Sequence, residues 1–522
     1  MNQSQDGFTN FLNNKLFYMK NASKNALKLI GLALTLTTLF LTNGCRSETE
    51  RSRYDLNVIA LTNDNNLLTV NADFPSQTIK KVLITGLRTN EKMLGIDFRP
   101  STGQLYGVSD SSRLYAINTQ TGAALAIGAS PFVPALNGTV VGFDFNPTVD
   151  RIRMETNTGQ NLRLNPETGA TAAIDGNINP GTPSVSEVAY ANNKAGVTST
   201  TLYVIDASTD KLYRQDPPNN GTLVEIGPLG VDATGAAGFD ITNNDLGLAA
   251  LRVGGKSELY VVNLATGSVL KLGNFDFGAN VIGLAVTTDP VSYAVDNSNN
   301  LVIFNPYNPA PIMKPITGMQ AGEMVLGLDM RPVNGQLYAL GSTSRLYTIN
   351  ASNGAATVVG TTPFTPALTG TQFGFDFNPT VDRIRIVSNT GQNLRAHPET
   401  GAIVAIDGNI NPGTPSVTAS AYTNNFAGTT TTTLFAIDAM TKKLSMQNPP
   451  NNGTLVEVGN IVGMTSDANG FDIGSTSSKA FVLFGDETSV KLYQVNLGNA
   501  QLSSGTTVSM TGVRGFTLGL GF

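Results

Sequence analysis

The sequence predicts an all-β chain of two tandem β-propeller-like domains, each of about five four-stranded blades, and three observations carry that prediction. The body of the chain is written twice, at an offset of 232 residues. Inside each copy a shorter unit recurs about every 40 to 47 residues, each with four short runs of alternating apolar residues, which is the blade period of a propeller. Charged residues are only 14% of the chain, with 54 Gly and 25 Pro. This composition suits short strands and tight turns and suits long amphipathic helices poorly.

The N-terminus reads as an export signal. Lys15, Lys20, Lys24 and Lys28 precede an apolar run from Leu29 to Leu41, and the only Cys of the chain, Cys45, follows Thr42-Asn43-Gly44. The run is too short for a comfortable transmembrane helix, which needs roughly 20 residues. A basic stretch, a short apolar stretch and a small residue at the cut make a secretory signal. With Cys next in line, the segment resembles a bacterial lipoprotein signal, in which Cys becomes the lipid-bearing first residue. Thr42 departs from that pattern, because Leu is usual three positions before the Cys; an ordinary signal peptide with an incidental Cys is the alternative. The expected organisation is therefore a signal over 1–44, a polar tether over 45–54, and propeller domains over 55–288 and 289–522. Removing 1–44 takes away four Lys and Asp6, and leaves the remainder at −8 against −5 for the whole chain. Membrane attachment would rest on acyl chains at Cys45, and nucleic acid is not an expected partner.

The duplication is specific. Gly142-Phe-Asp-Phe-Asn-Pro-Thr-Val-Asp-Arg-Ile-Arg153 recurs unchanged at 374–385, Asp175-Gly-Asn-Ile-Asn-Pro-Gly-Thr-Pro183 at 407–415, and Pro217-Pro-Asn-Asn-Gly221 at 449–453. The blades follow in order. Leu94-Gly-Ile-Asp-Phe98 opens one unit and Val141-Gly-Phe-Asp-Phe145 the next, with later units from Val185 and Ala237. Pairs such as Thr121-Gly122 and Asn220-Gly221 mark the turns between strands. The first unit, from Asn57, lacks an innermost strand. The closing segment 515–522 matches what is missing, and Val281–Val286 could serve the first half in the same way. Propellers close like this so that no strand edge stays open. The expectation is two five-bladed rings, with one ten-bladed ring as the alternative.

At GFDFNPTVDRIR, NTGQNLR and the blade pattern around them, the chain resembles a bacterial domain-of-unknown-function family, number 4394. The resemblance covers nearly all of both halves. It implies an exported β-repeat protein, sometimes with duplicated domains, and brings no catalytic or ligand-binding residues with it.

One Cys and one His exclude a disulfide framework, a Cys- or His-rich metal site and any His-based triad present in both copies. His397 stands where the sister copy has Asn165, and reads as a turn residue. No nucleophile elbow or phosphate loop is evident. Three groups are left as candidates. Asp97, Asp144 and Asp240, with Asp329, Asp376 and Asp472, recur in first strands. They could ring a cation on each axis or accept hydrogen bonds within the blades, and repetition favours the second use. Asp175 and Asp407 open a calcium-like Asp-x-Asn-x-Asn loop that lacks the twelfth-position Glu. Asp150, Arg151, Arg153 and Arg163, with Asp382, Arg383, Arg385 and Arg395, could form a ligand-binding surface or pair among themselves. Between 138–183 and 370–415 only 9 of 46 positions differ, so such a surface would be present once per half.

These features favour a monomeric, lipid-anchored module of the cell envelope, at the outer membrane or cell surface, that binds a small molecule, glycan or protein or acts as a scaffold. A periplasmic or secreted protein is the alternative location. The rival functions are a carbohydrate-active or ester-hydrolysing enzyme using axial carboxylates such as Asp144 and Asp376, and a purely structural surface protein. No cofactor is implied apart from calcium.

Overall fold

Among the described residues the strands form ten four-stranded antiparallel sheets, which close into two rings of five. The computed structural model describes residues 54–275, 280–464 and 469–522; the export signal and Cys45 lie outside the described residues. In the first ring the innermost strands, in spatial order, are Val281–Val286, Met93–Phe98, Val141–Asn146, Val185–Tyr190 and Ala233–Ile241, and the last packs against the first. The second ring repeats this with Gly515–Leu518, Val325–Met330, Phe373–Asn378, Val417–Tyr422 and Asn469–Ile473.

Each ring is closed by a strand from its own far end. Val281–Val286 pairs with Asn57–Thr62, and Gly515–Leu518 pairs with Ser292–Val295. The architecture is thus two five-bladed rings and not a single ring of ten. Closure removes the exposed edge that an open stack of sheets would leave.

Burial follows the radius. Inner strands such as Val185–Tyr190 are buried throughout, as a strand packed on both faces must be. Outer strands such as Thr171–Ile174 alternate, with Ile174 on the solvent face. Neighbouring inner strands approach so closely that a Gly precedes each axial Asp by two residues. A Cβ on Gly142 would lie 2.9 Å from the Val188 nitrogen; Gly238 holds φ +127°, and its Cβ would lie 2.2 Å from the Leu284 nitrogen.

The rings belong to one compact unit, Leu56–Phe522. Tyr293 donates its hydroxyl to the Ser101 carbonyl at 2.8 Å, Gly521 N–H donates to the Thr102 carbonyl at 2.8 Å, and Arg99 Nη1 donates to the Gly335 carbonyl at 3.2 Å. No described helix is long and apolar enough to cross a membrane.

Candidate functional site

The turn Asn146–Arg151 shows how the repeated motif of each half is used. Asn146 Oδ1 accepts the Thr148 N–H at 3.0 Å, and Asp150 sits at φ +53°, a conformation that Asp tolerates. That turn delivers Asp150 to Arg99, whose Nε donates to Oδ1 at 2.9 Å; Arg99 also pairs with Glu167. Asp150 and Arg99 are both buried. Burial pushes the Asp150 carboxyl up, and the Arg99 charge and hydrogen bond more than offset this, so its pKa is lowered. In the second ring Arg331 meets Asp382 and Glu399 in the same way, but there the carboxylates are 27% and 68% exposed. The difference is tertiary: the turn at Asn334–Gly335 of the second ring covers Arg99.

The arginines considered for a ligand surface or for pairing with Asp brace the blades. Arg153 is 1% exposed. It donates to Asn161 and Asp175 of its own sheet, each at 2.6 Å, and to Asn219 at 2.7 Å and Tyr190 at 3.3 Å from the next blade. Arg385 repeats all four contacts with Asn393, Asp407, Asn451 and Tyr422. Arg163 and Arg395 each grip the same Asp175 or Asp407 through two hydrogen bonds of 2.8 and 2.9 Å. The loop Asp residues considered for calcium therefore each accept two guanidinium groups. Burial raises Asp175, but the hydrogen bonds and charges of Arg163 and Arg153 win and lower it. Arg151 and Arg383 bond the carbonyls of Asp150 and Asp382. His397 does the work of Asn165: its Nδ1 accepts the Glu399 N–H, as Asn165 Oδ1 accepts that of Glu167.

The axial Asp residues come together as expected. One carboxylate oxygen from each of Asp97, Asp144 and Asp240 lies within 4.8 Å of the other two, and Asp329, Asp376 and Asp472 form the same group in the second ring. All six are buried at 1% exposure. They also clip blade to blade. Asp97 Oδ2 accepts the Phe145 N–H at 2.8 Å, Asp144 Oδ1 that of Tyr190 at 3.1 Å, and Asp240 Oδ2 that of Val286 at 2.5 Å. Burial, reinforced by the neighbouring Asp charges, pushes Asp97 and Asp144 well above the ordinary carboxylate range; burial carries Asp240 up to about 7. Asp329 and Asp376 follow Asp97 and Asp144, and Asp472 is pushed up to about 7.

A second kind of site lies between the rings. A cleft of about 710 Å³ is walled by Phe98, Leu105, Ile117 and Leu125 of the first ring and by Phe426 and Leu520 of the second. Gln104, Asn118 and Lys80 add polar groups to its lining. Sequence reasoning missed this cleft, because its walls come from segments some 300 residues apart.

A model of a domain of unknown function, DUF4394, matches residues 66–285 and again 300–517. The chain belongs to the DUF4394 family. It carries two tandem copies of the DUF4394 domain, one for each ring. No curated protein matches the sequence. Among solved structures the chain is similar to the extracellular domain of a one-component system from B. thetaiotaomicron (11% identity, TM-score 0.26, 91% of this chain and 76% of the other). It is also similar to the dihydro-heme d1 dehydrogenase NirN (10%, TM-score 0.24, 91% and 78%) and to PorZ, a surface component of the type-IX secretion system of Porphyromonas gingivalis (12%, TM-score 0.26, 84% and 63%). At these scores the likenesses carry no functional argument.

Proposed function

We propose that this DUF4394 protein is an exported cell-envelope protein, lipid-anchored at Cys45, whose paired rings act as one binding or scaffold module with a small-molecule or glycan site in the cleft between them. The observation that carries this reading is the cleft itself. Its volume of about 710 Å³ falls within the roughly 300–1,000 Å³ of small-molecule sites, which favour domain interfaces. Its apolar walls and few polar groups suit a ligand with an apolar body and hydrogen-bonding edges. The hydrogen bonds at Ser101, Thr102 and Gly335 support two rings held in one relative position, which keeps such a cleft formed before the ligand arrives.

A glycan and metabolite binding screen on the full chain tests the reading. Leu125 is 39% exposed on an outer strand, so Leu125→Glu should leave the fold intact and abolish binding of any hit. A hit that binds the variant unchanged refutes the cleft as its site. Anchoring is tested by Cys45→Ser, which should move the protein from the membrane fraction to the soluble one; a variant that stays attached contradicts the lipid anchor.

A further inference from the structure

We propose that the first ring, and not the second, holds one hard divalent cation on its axis, calcium by its ligand chemistry, bound by Asp97, Asp144 and Asp240 with Glu187 as a fourth carboxyl. Oxygens on opposite sides of a calcium ion, bonded at about 2.4 Å each, stand about 4.8 Å apart. The three Asp oxygens lie within that distance of one another. An all-oxygen set selects calcium or a similar hard ion over metals that prefer nitrogen or sulfur.

Two observations beside the spacing of the carboxylates point to a ligand. Asp144 Oδ2 is buried and has no hydrogen-bond partner, which is costly unless something else satisfies it. Glu187 is 6% exposed, and a buried carboxyl is costly unless something balances it. Its place in the fold aims it at the cluster. Tyr190 N–H binds Asp144 as Phe145 N–H binds Asp97, so Ala189 occupies the axial level of the fourth blade. Strand alternation then puts Glu187, two residues earlier, on the same face. Its charge acts on Asp144. At the corresponding position the other four blades of this ring have Gly95, Gly142, Gly238 and Gly283.

The second ring is a natural control. It has Ala419 in place of Glu187 and Thr517 in place of Ala285. The Thr517 hydroxyl bridges Asp329 Oδ1 at 2.9 Å and Asp472 Oδ2 at 3.0 Å. One ring thus bridges two of its three axial carboxyls with a hydroxyl, while the other has three clustered carboxyls, Glu187 on the same strand face, and Ala285 where that hydroxyl would be.

The test is calcium binding by the full chain after chelator stripping, read by titration calorimetry, metal analysis and thermal melting. The expected result is one calcium per chain and a melting temperature that rises with calcium. Glu187→Ala with Ala285→Thr installs the second ring's own pair, and should weaken binding by about tenfold or more while the ring stays folded. Ala419→Glu with Thr517→Ala should create a second site. A stripped wild-type chain that binds no calcium at millimolar concentration, or binds two, overturns the proposal. So does an unchanged affinity in the first variant. In the no-binding case the four carboxyls are held by protons instead.

Discussion

Replacing Arg153 by Met should destabilise the first ring by about 3 to 5 kcal/mol, the usual cost of breaking a buried ion pair from one side. The structure sets where in that range the effect falls. Arg153 is 1% exposed and binds four side chains across two blades. Its loss strands Asn161 and Asn219 and removes the ion partner 4.0 Å from buried Glu155, whereas Asp175 keeps both hydrogen bonds from Arg163, which together point to the middle of that range, about 4 kcal/mol. Met fills the aliphatic part of the space, so the effect reads the lost charge and hydrogen bonds rather than a cavity. Against a typical domain stability of roughly 5–15 kcal/mol, that is a large fraction. The chain has no Trp, so urea unfolding is best followed by far-UV circular dichroism alongside calorimetry. Arg385→Met, with matching contacts at Asn393, Asp407, Asn451 and Tyr422, should cost a similar amount in the second ring. A loss below about 1 kcal/mol for Arg153→Met would refute the bracing role and return Arg153 to the group available for ligands.

Two further outcomes follow from the same packing. Glu155 is fully buried and its pKa is pushed up to about 7 by burial. An acid with a raised folded-state pKa stays protonated while the unfolded chain ionises. The Glu155 contribution to stability should therefore fall between about pH 4.5 and 7, by roughly 3 kcal/mol, and that contribution is constant above. Glu155→Val, the residue the sister ring has at Val387, should remove that part of the pH slope in denaturation curves; an unchanged slope rejects the assignment. Gly238→Ala forces a Cβ to 2.2 Å from the Leu284 nitrogen at φ +127°. It should loosen the packing of the fifth blade on the closing strand and cost at least about 2 kcal/mol, visible as a lowered melting temperature; a neutral variant would show that the two strands can part without cost.

Much of the fold was legible because propeller blades are local. Strands pair with their sequence neighbours, so alternation and turn residues suffice to mark four strands per blade. Even the closing strands Val281–Val286 and Gly515–Leu518 stood out, since each repaired a unit that lacked its inner strand. The candidate site was less legible. Asp97, Asp144 and Asp240 were visible as a repeated residue. Glu187 could have been found as the only non-Gly residue at its level among the five blades of the first ring. Arg99 gave no such sign, because its burial depends on Asn334–Gly335, more than 200 residues away.

The sequence by itself determined the duplication, the blade period, the candidate closing strands and the axial Asp residues, all of which are written in local pattern and repetition. Only the tertiary structure decided that each half closes on itself and not into one ring of ten, that Arg153 and Arg385 are spent inside the blades, that a cleft opens between the rings, and that a hydroxyl bridges two axial carboxyls in the second ring. Those outcomes depend on which distant segments meet, and desolvation acts on a charged group according to what surrounds it in space rather than along the chain.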